Sequence, residues 1–241
     1  MTLFLLIYIF KIMSDLTIIL VHGAWGDGSH WRHIIPILDS KGYKVKAVQN
    51  PLTSLQDDID KTTDLINMQD GKVLLVGHSY GGAVITGAGN HDKVAGLVYV
   101  AAFAPDTGES LGGIFERREK PVGAGSIQPD DKGFLWIKYD EFHNSFCQDL
   151  SKKEALVMSL SQHPIHGRCF GDETAEPAWK HRPSWYQVSN QDHMIPPKTE
   201  QEMAERMNPK KIVHLDSSHT SLASHPEKIS KLIIEAAKSL G

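Results

Sequence analysis

The fold is decided by the stretch KVLLVGHSYGGA, residues 72–83. An apolar run that favours a strand passes directly into Gly-His-Ser-Tyr-Gly, and the residues after it favour a helix. This Gly-x-Ser-x-Gly pattern is typical of a nucleophile elbow, a sharp strand-to-helix turn with the serine at its apex. Glycines flank such a serine because the turn strains the backbone and leaves little room for side chains. The pattern therefore predicts that Ser79 is a nucleophile.

Further apolar runs alternate along the chain with segments that favour helices. Strands are predicted at 16–22, 45–49, 73–78, 94–102, 184–189 and 211–216. Helices are predicted at 31–40, 54–68, 80–89, 198–207 and 226–239. Strands that alternate with helices indicate a parallel sheet whose faces are both covered. The predicted class is α/β, with a mostly parallel sheet of six or slightly more strands and helices on both faces.

The alternation stops between Pro105 and Pro183, where the chain is richer in glycine, proline and charge. One convincing helix is predicted there, at about 151–162. A long interruption of this kind is typical of a segment inserted above a site. The predicted organisation is an N-terminal extension at 1–13, a core formed by 14–105 and 183–241, and an inserted cap or lid at 106–182.

Composition limits the classes of function. The 241 residues are 41% hydrophobic and 22% charged, which is ordinary for one globular domain. A net charge of −4 disfavours nucleic acid or anionic lipid as the main partner, so a small molecule is expected. Cys147 and Cys169 are predicted to be reduced structural thiols. We expect a monomer or homodimer without stable membrane insertion.

The apolar run at residues 2–10 is too short to span a bilayer. It lacks the basic segment and the small-residue cleavage site of a secretory signal, so a cytoplasmic location is favoured over secretion. Met13 is an alternative start of the protein.

Five blocks resemble the α/β-hydrolase superfamily and cover most of the chain in order. They are VHGAW (21–25), GHSYGG (77–82), VYVAAFAP (98–105), SNQDHMIPP (189–197) and DSSHTSLASHP (216–226). They are most similar to small cap-bearing esterases related to plant methyl-ester hydrolases and hydroxynitrile lyases. The resemblance implies that the six strands correspond to the third to eighth strands of the typical sheet. The first two antiparallel strands would be absent, unless residues 3–10 form one.

A serine nucleophile needs a base that takes its proton and a group that orients the base. Among 13 histidines, His219 is the predicted base, because it follows the last strand and so lies at the same sheet edge as the elbow. Asp192 follows the preceding strand, and the order Ser79, Asp192, His219 is that of this fold. Asp106, after the strand at 94–102, is a rival, and Asp216 is a weaker one.

The remaining site residues are an oxyanion hole and a pocket. Two backbone amides, those of Ala24 and Tyr80, are predicted to hold the oxyanion. Trp25, Phe103, Trp136 and Met158 are predicted to line the substrate pocket. Because no cationic cluster accompanies the motifs, the predicted substrate is a neutral carboxylic ester of small to medium size. The resulting hypothesis is a serine esterase that uses no metal or other cofactor.

Several alternatives compete with this hypothesis. Neither HGAWGDG (22–28) nor GHSYGG (77–82) has the spacing of a dinucleotide-binding loop. The pair His163 and His166 lacks the third ligand that a metal site needs. Hydroxynitrile lyases carry threonine where Gly23 stands and lysine where Thr220 stands, which weakens a lyase. A dehalogenase of this superfamily would carry aspartate in place of Ser79. A ligand-binding module on the same scaffold, with little turnover, stays open.

Overall fold

The computed structural model describes residues 16–241, which form nine strands and ten α-helices. The strands are β1 (Leu16–Val21), β2 (Lys44–Ala47), β3 (Lys72–Ser79), β4 (Val94–Ala102), β5 (Ile127–Pro129), β6 (Phe134–Ile137), β7 (Ile165–His166), β8 (Ser184–Ser189) and β9 (Lys211–Leu215). The helices are α1 (Ile35–Ser40), α2 (Leu55–Asn67), α3 (Gly81–Ala88), α4 (Leu111–Glu116), α5 (Phe142–Phe146), α6 (Lys152–Leu160), α7 (Arg168–Gly171), α8 (Pro197–Met207), α9 (Ser221–Ser224) and α10 (Pro226–Ser239).

Six of the strands form one sheet in the order β2-β1-β3-β4-β8-β9. All neighbouring pairs in it are parallel, which confirms the predicted α/β class. Parallel strands end at the same edge of a sheet. The loops after β1, β3, β8 and β9 therefore meet at one edge, and they carry the residues that the sequence singled out.

Alternate residues of each strand bury themselves on opposite faces of the sheet. On β1, Ile18 and Leu20 pack with α1 and α10. Ile19 and Val21 pack on the other face with α2, α3 and α8. Both faces are thus covered by helices, which explains why these strands are nearly continuous apolar runs in the sequence.

Most predicted elements are confirmed within two residues. The side chain of Ser54 caps α2 by accepting a hydrogen bond from the Asp57 amide at 3.1 Å. The helix predicted at 31–40 was wrong in its first half. A 3-10 turn occupies Gly28–Trp31 and α1 begins at Ile35 instead. Pro36, which has no N–H and fits the first turn of a helix, accounts for the restart.

Residues 106–182, the predicted insertion, contain more structure than their sequence indicated. The predicted helix at 151–162 is α6, but α4, α5, α7 and the antiparallel sheet β5-β6-β7 were not predicted. Strands of two to four residues and helices of four to six are too short for a periodicity of hydrophobic residues to appear. The Trp25 indole N–H donates to the Leu135 carbonyl at 2.9 Å and joins the insertion to the core.

The remaining expectations concern the N-terminus, membrane insertion and the two cysteines. The N-terminal extension at 1–13 and the candidate strand at 3–10 lie outside the described residues. Within residues 16–241, no helix has the length and apolar character needed to cross a membrane. Cys147 and Cys169 are buried and unpaired, and burial raises the pKa of each thiol to about 12.

Candidate active site

Ser79 stands at the apex of the turn between β3 and α3. Its φ of 55° lies in the left-handed region, which is strained for any residue with a side chain. A Cβ on Gly77 would lie 2.5 Å from the Gly81 carbonyl oxygen, so the turn is too tight for a side chain at that position. The Phe103 amide donates to the Ser79 carbonyl at 3.1 Å and ties the turn to the end of β4. The local structure therefore fixes where the Ser79 hydroxyl points.

The structure brings Ser79, His219 and Asp192 together in one hydrogen-bonded chain. His219 Nε2 is 2.7 Å from Ser79 Oγ, and His219 Nδ1 is 2.5 Å from Asp192 Oδ2. The side chains of His219 and Asp192 are completely buried. Because an ionised carboxylate can only accept, Nδ1 carries the proton and Nε2 accepts from the serine hydroxyl. This arrangement can move a proton from Ser79 to His219.

The loop after β8 holds the Asp192 carboxylate in place. Asp192 Oδ1 accepts hydrogen bonds from the amides of Met194 at 2.6 Å and Ile195 at 2.8 Å. Oδ2 is left for His219. Two backbone donors favour the ionised carboxylate and prevent it from rotating away from the imidazole.

Neutral aromatic groups surround the His219 ring. Phe146 packs edge-on against it, with the centroids 5.1 Å apart. The His78 ring is 4.8 Å away, and its Nε2 donates to the His219 carbonyl at 2.8 Å. Burial, with His219 as the next cause, holds the pKa of His78 well below its ordinary value. His78 is therefore uncharged and does not oppose a positive charge on His219.

The two rival acids lie away from His219. Asp106 pairs with Lys180 Nζ at 2.6 Å, and about a third of its side chain is exposed. Asp216 is exposed and accepts from the Asn190 side chain at 2.8 Å. Of the three acids weighed from the sequence, only Asp192 bonds His219.

The loop after β1 runs directly past Ser79. A Cβ on Gly23 would lie 2.6 Å from Ser79 Cβ and 3.1 Å from its Oγ. Buried His22 holds the loop: its Nδ1 donates to the Gly23 carbonyl at 2.8 Å, and its Nε2 accepts from the Asn50 amide at 3.0 Å. Burial lowers the pKa of His22 to about 4, so the ring stays neutral. The loop backbone is thereby pressed against the nucleophile.

The amides of Ala24 and Tyr80 have no acceptor among residues 16–241. Ala24 follows Gly23 in the loop, and Tyr80 follows Ser79 at the start of α3. Buried amides nearly always find a partner, so two unpaired N–H groups beside a nucleophile are suited to an incoming oxyanion.

Gly23→Val is expected to lower kcat for ester hydrolysis by about 100-fold or more, because the new side chain displaces the loop that carries the Ala24 amide. Initial rates at saturating ester measure the effect. Gly171→Ala is the matched control, since a Cβ there meets nothing within 4 Å. Equal activity of Gly23→Val and the control would contradict this account of the loop.

A cavity of about 350 Å³ opens beside Ser79. Its lining residues are Trp25, Ser79, Phe103, Phe115, Glu116, Lys120, Pro121, Ala124, Ile127, Phe170, Met194 and Ile195. Two of the predicted pocket residues, Trp25 and Phe103, are among them. Most of the other lining residues belong to the insertion.

The placement of Trp136 and Met158 in the pocket was wrong. Met158 is buried in the core on the inner side of α6. Trp136 lies on β6 and donates its indole N–H to Asp130 at 3.2 Å, away from the cavity. The sequence analysis missed Phe115 and Phe170, because no motif fixes the path of the insertion. Met194 and Ile195 could have been found, since they lie only two and three residues after Asp192.

Within the described part of the chain, no group of three or more His, Cys, Asp or Glu side chains could hold a metal ion.

Known proteins that resemble this chain include a hydrolase and a methylesterase. The pyrethroid hydrolase of Sphingobium wenxiniae is 26% identical over 260 residues, which cover 93% of this chain and 89% of that protein. Methylesterase 3 of Arabidopsis thaliana is 25% identical over 255 residues, covering 91% and 95%. The crystal structure of a pyrethroid hydrolase from Sphingobium faniae JZ-2 has a TM-score of 0.78 at 24% identity, covering 92% and 98%, which shows the shared fold.

A family model also matches most of the chain. The model described as the alpha/beta hydrolase family matches residues 18–232, which include the nucleophile turn, Asp192 and His219. The chain therefore belongs to the alpha/beta hydrolase family.

Proposed function

We propose that this carboxylic ester hydrolase cleaves small to medium neutral carboxylic esters through an acyl-enzyme on Ser79. The observation that carries the proposal is the hydrogen-bonded chain from Asp192 through His219 to Ser79, which ends at a largely apolar cavity. No cofactor is part of the proposed reaction.

Acylation begins when Ser79 Oγ attacks the ester carbonyl carbon. His219 Nε2, 2.7 Å away, takes the hydroxyl proton, and the Asp192 carboxylate stabilises the resulting imidazolium. The carbonyl oxygen becomes an oxyanion and accepts from the amides of Ala24 and Tyr80. The tetrahedral intermediate then breaks its bond to the alcohol oxygen, which receives the proton from His219.

Deacylation repeats these steps with water as the nucleophile. His219 takes a proton from water, the hydroxide attacks the acyl carbon, and Ser79 Oγ leaves with the proton that His219 returns. The carboxylic acid product departs, and the hydrogen-bonded chain is restored. Every proton transferred by the enzyme passes through one imidazole, so its orientation controls both halves of the reaction.

The cavity supports a neutral substrate. Its inner wall is formed by side chains such as Trp25, Phe103 and Phe170. Its two charged lining residues, Glu116 and Lys120, are exposed and opposite in sign. A carboxylate buried between these apolar groups would lose its hydration without gaining a partner. The names of the relatives, pyrethroid hydrolase and methylesterase, are consistent with ester substrates.

Two alternatives have less support. A binding module without turnover would not need the 2.7 Å contact between His219 Nε2 and Ser79 Oγ. Hydroxynitrile lyases carry threonine where Gly23 stands and lysine where Thr220 stands, and the structure at both positions disfavours a lyase. Gly23 has no room for a side chain in this backbone, and the Thr220 hydroxyl is buried and within 3.0 Å of the Ser218 hydroxyl.

Hydrolysis of matched esters tests the proposal. We expect a p-nitrophenyl butyrate ester to be hydrolysed with a kcat/KM about 100-fold higher than the succinate half-ester of similar size, because the free carboxylate is costly to bury. Initial rates of p-nitrophenol release give both values. No turnover of any neutral ester would contradict the proposed function, and equal turnover of the two esters would contradict the neutral-substrate assignment.

A further inference from the structure

A buried carboxyl group outside the proposed proton path lies directly behind it. Glu200 is on the first turn of α8, eight residues after Asp192, and has no exposed surface. Its Oε2 accepts from the Ser189 amide at 3.1 Å. Its Oε1 receives no hydrogen bond from a donor in residues 16–241. A fully buried carboxyl group with an unpaired oxygen is unusual and calls for a physical explanation.

The Asp192 carboxylate supplies that explanation. Ser189 holds the two residues beside each other, because its amide donates to Glu200 Oε2 and its carbonyl accepts from the Asp192 amide at 3.3 Å. Asp192 is also the charged hydrogen-bonding partner that raises the pKa of Glu200. Two buried carboxylates in contact cannot both be ionised at modest cost, so they share one proton. Asp192 accepts from two backbone amides and from His219, whereas Glu200 accepts from one amide. The larger number of donors keeps the negative charge on Asp192 and the proton on Glu200.

Among residues 16–241, no cationic group is a cause of the pKa shift of Glu200. Tyr186 of β8 faces it, and its hydroxyl donates to the Ala102 carbonyl instead. His219 hydrogen-bonds to Asp192 Oδ2, and no hydrogen bond joins it to Glu200 within residues 16–241. Burial, and then the charge of Asp192, raise the pKa of Glu200 well above its ordinary value. This direction agrees with the count of donors.

We propose that Glu200 is a positioning residue whose neutral carboxylic acid donates a hydrogen bond to the Asp192 carboxylate. The inference rests on the proposed function, in which Asp192 orients His219. The donated bond adds to those from Met194 and Ile195 and fixes the carboxylate plane against the imidazole. A neutral donor also keeps the charge of the site at that of one carboxylate.

Infrared spectroscopy tests the protonation state without reference to activity. Glu200→Gln retains an oxygen for the Ser189 amide and an N–H for Asp192, and it cannot ionise. At pH 8 the spectrum of the wild type minus that of Glu200→Gln should contain the C=O band of one protonated carboxylic acid. Asp58, whose pKa is raised by burial to about 6, is ionised at that pH and cancels in the difference. The absence of the band would overturn the inference.

Kinetics test the positioning role. Glu200→Met has a similar length but donates nothing, and its kcat should fall about tenfold or more with KM little changed. Glu200→Gln should stay within about threefold of the wild type, because the amide restores the donated bond. If the two variants have equal kcat values, whether both stay high or both fall, a role through hydrogen bonding is contradicted.

The proposed function and the inference about Glu200 are tested independently. If Glu200→Met does not fold, the infrared difference and the rate of Glu200→Gln still decide the inference. If the wild type does not hydrolyse esters, the proposed function fails while the infrared band still reports the proton held by the Glu200–Asp192 pair. If the wild type hydrolyses esters and the band is absent, only the inference about Glu200 fails.

Discussion

Ser79→Ala is expected to lower kcat for ester hydrolysis by about five orders of magnitude or more. The reason is that the variant has no nucleophile, while His219 and Asp192 remain with nothing to activate. Residual activity would come from the oxyanion donors and from binding alone. Release of p-nitrophenol from a neutral ester, followed with enough enzyme to detect rates near the uncatalysed one, measures the loss.

The fold of Ser79→Ala should be unchanged. The Ser79 hydroxyl is hydrogen-bonded to His219 at 2.7 Å and contributes little to the packing of the sheet. Alanine at a φ of 55° is strained to a similar degree as serine. Circular dichroism and the thermal midpoint of unfolding are the controls. A variant that is folded and nearly as active as the wild type would contradict the role given to Ser79.

Asp192→Asn is expected to lower kcat by about four orders of magnitude. Oδ1 of Asp192 accepts from two backbone amides, so the oxygen of the new amide should take that position. Its NH₂ group then faces His219 Nδ1 as a donor. The imidazole must carry its proton on Nε2, and it can no longer accept the proton of Ser79. Steady-state rates at neutral pH measure the effect.

Asp106→Asn is the matched control for this change. Asp106 also follows a strand of the sheet, and its sequence position made it a rival candidate for the acid that orients His219. Its partner is Lys180 at the surface, and an exposed ion pair contributes little to stability. We expect its kcat within about twofold of the wild type. A large loss in Asp106→Asn with little loss in Asp192→Asn would reverse the assignment of the acid.

The sheet and the catalytic candidates could be predicted from the sequence for a common reason. The strands of a parallel sheet end at one edge, so residues that follow β3, β8 and β9 converge although they are far apart in the chain. Ser79 is the last residue of β3, and Asp192 and His219 follow β8 and β9 within a few residues. The glycines around Ser79 also leave a signature, since close backbone contacts exclude other residues.

The pocket and Glu200 could not be predicted in the same way. Phe115 and Phe170 reach the cavity from an insertion of short elements, whose path depends on tertiary contacts. In sequence they resemble Trp136, which lies elsewhere. A glutamate in the first turn of a helix normally faces solvent, where its negative charge interacts favourably with the helix dipole. Only the structure shows that Glu200 is fully buried in this turn, beside the loop that carries Asp192.

Labelling with a fluorophosphonate, followed by peptide mapping by mass spectrometry, tests the central claim most directly. The reagent forms a stable bond only with a serine that a base has activated. We expect one label per chain on Ser79 in the wild type, much slower labelling in Asp192→Asn, and no label in Ser79→Ala. A wild type that hydrolyses esters yet carries no label on Ser79, or carries it on another residue, would contradict the account.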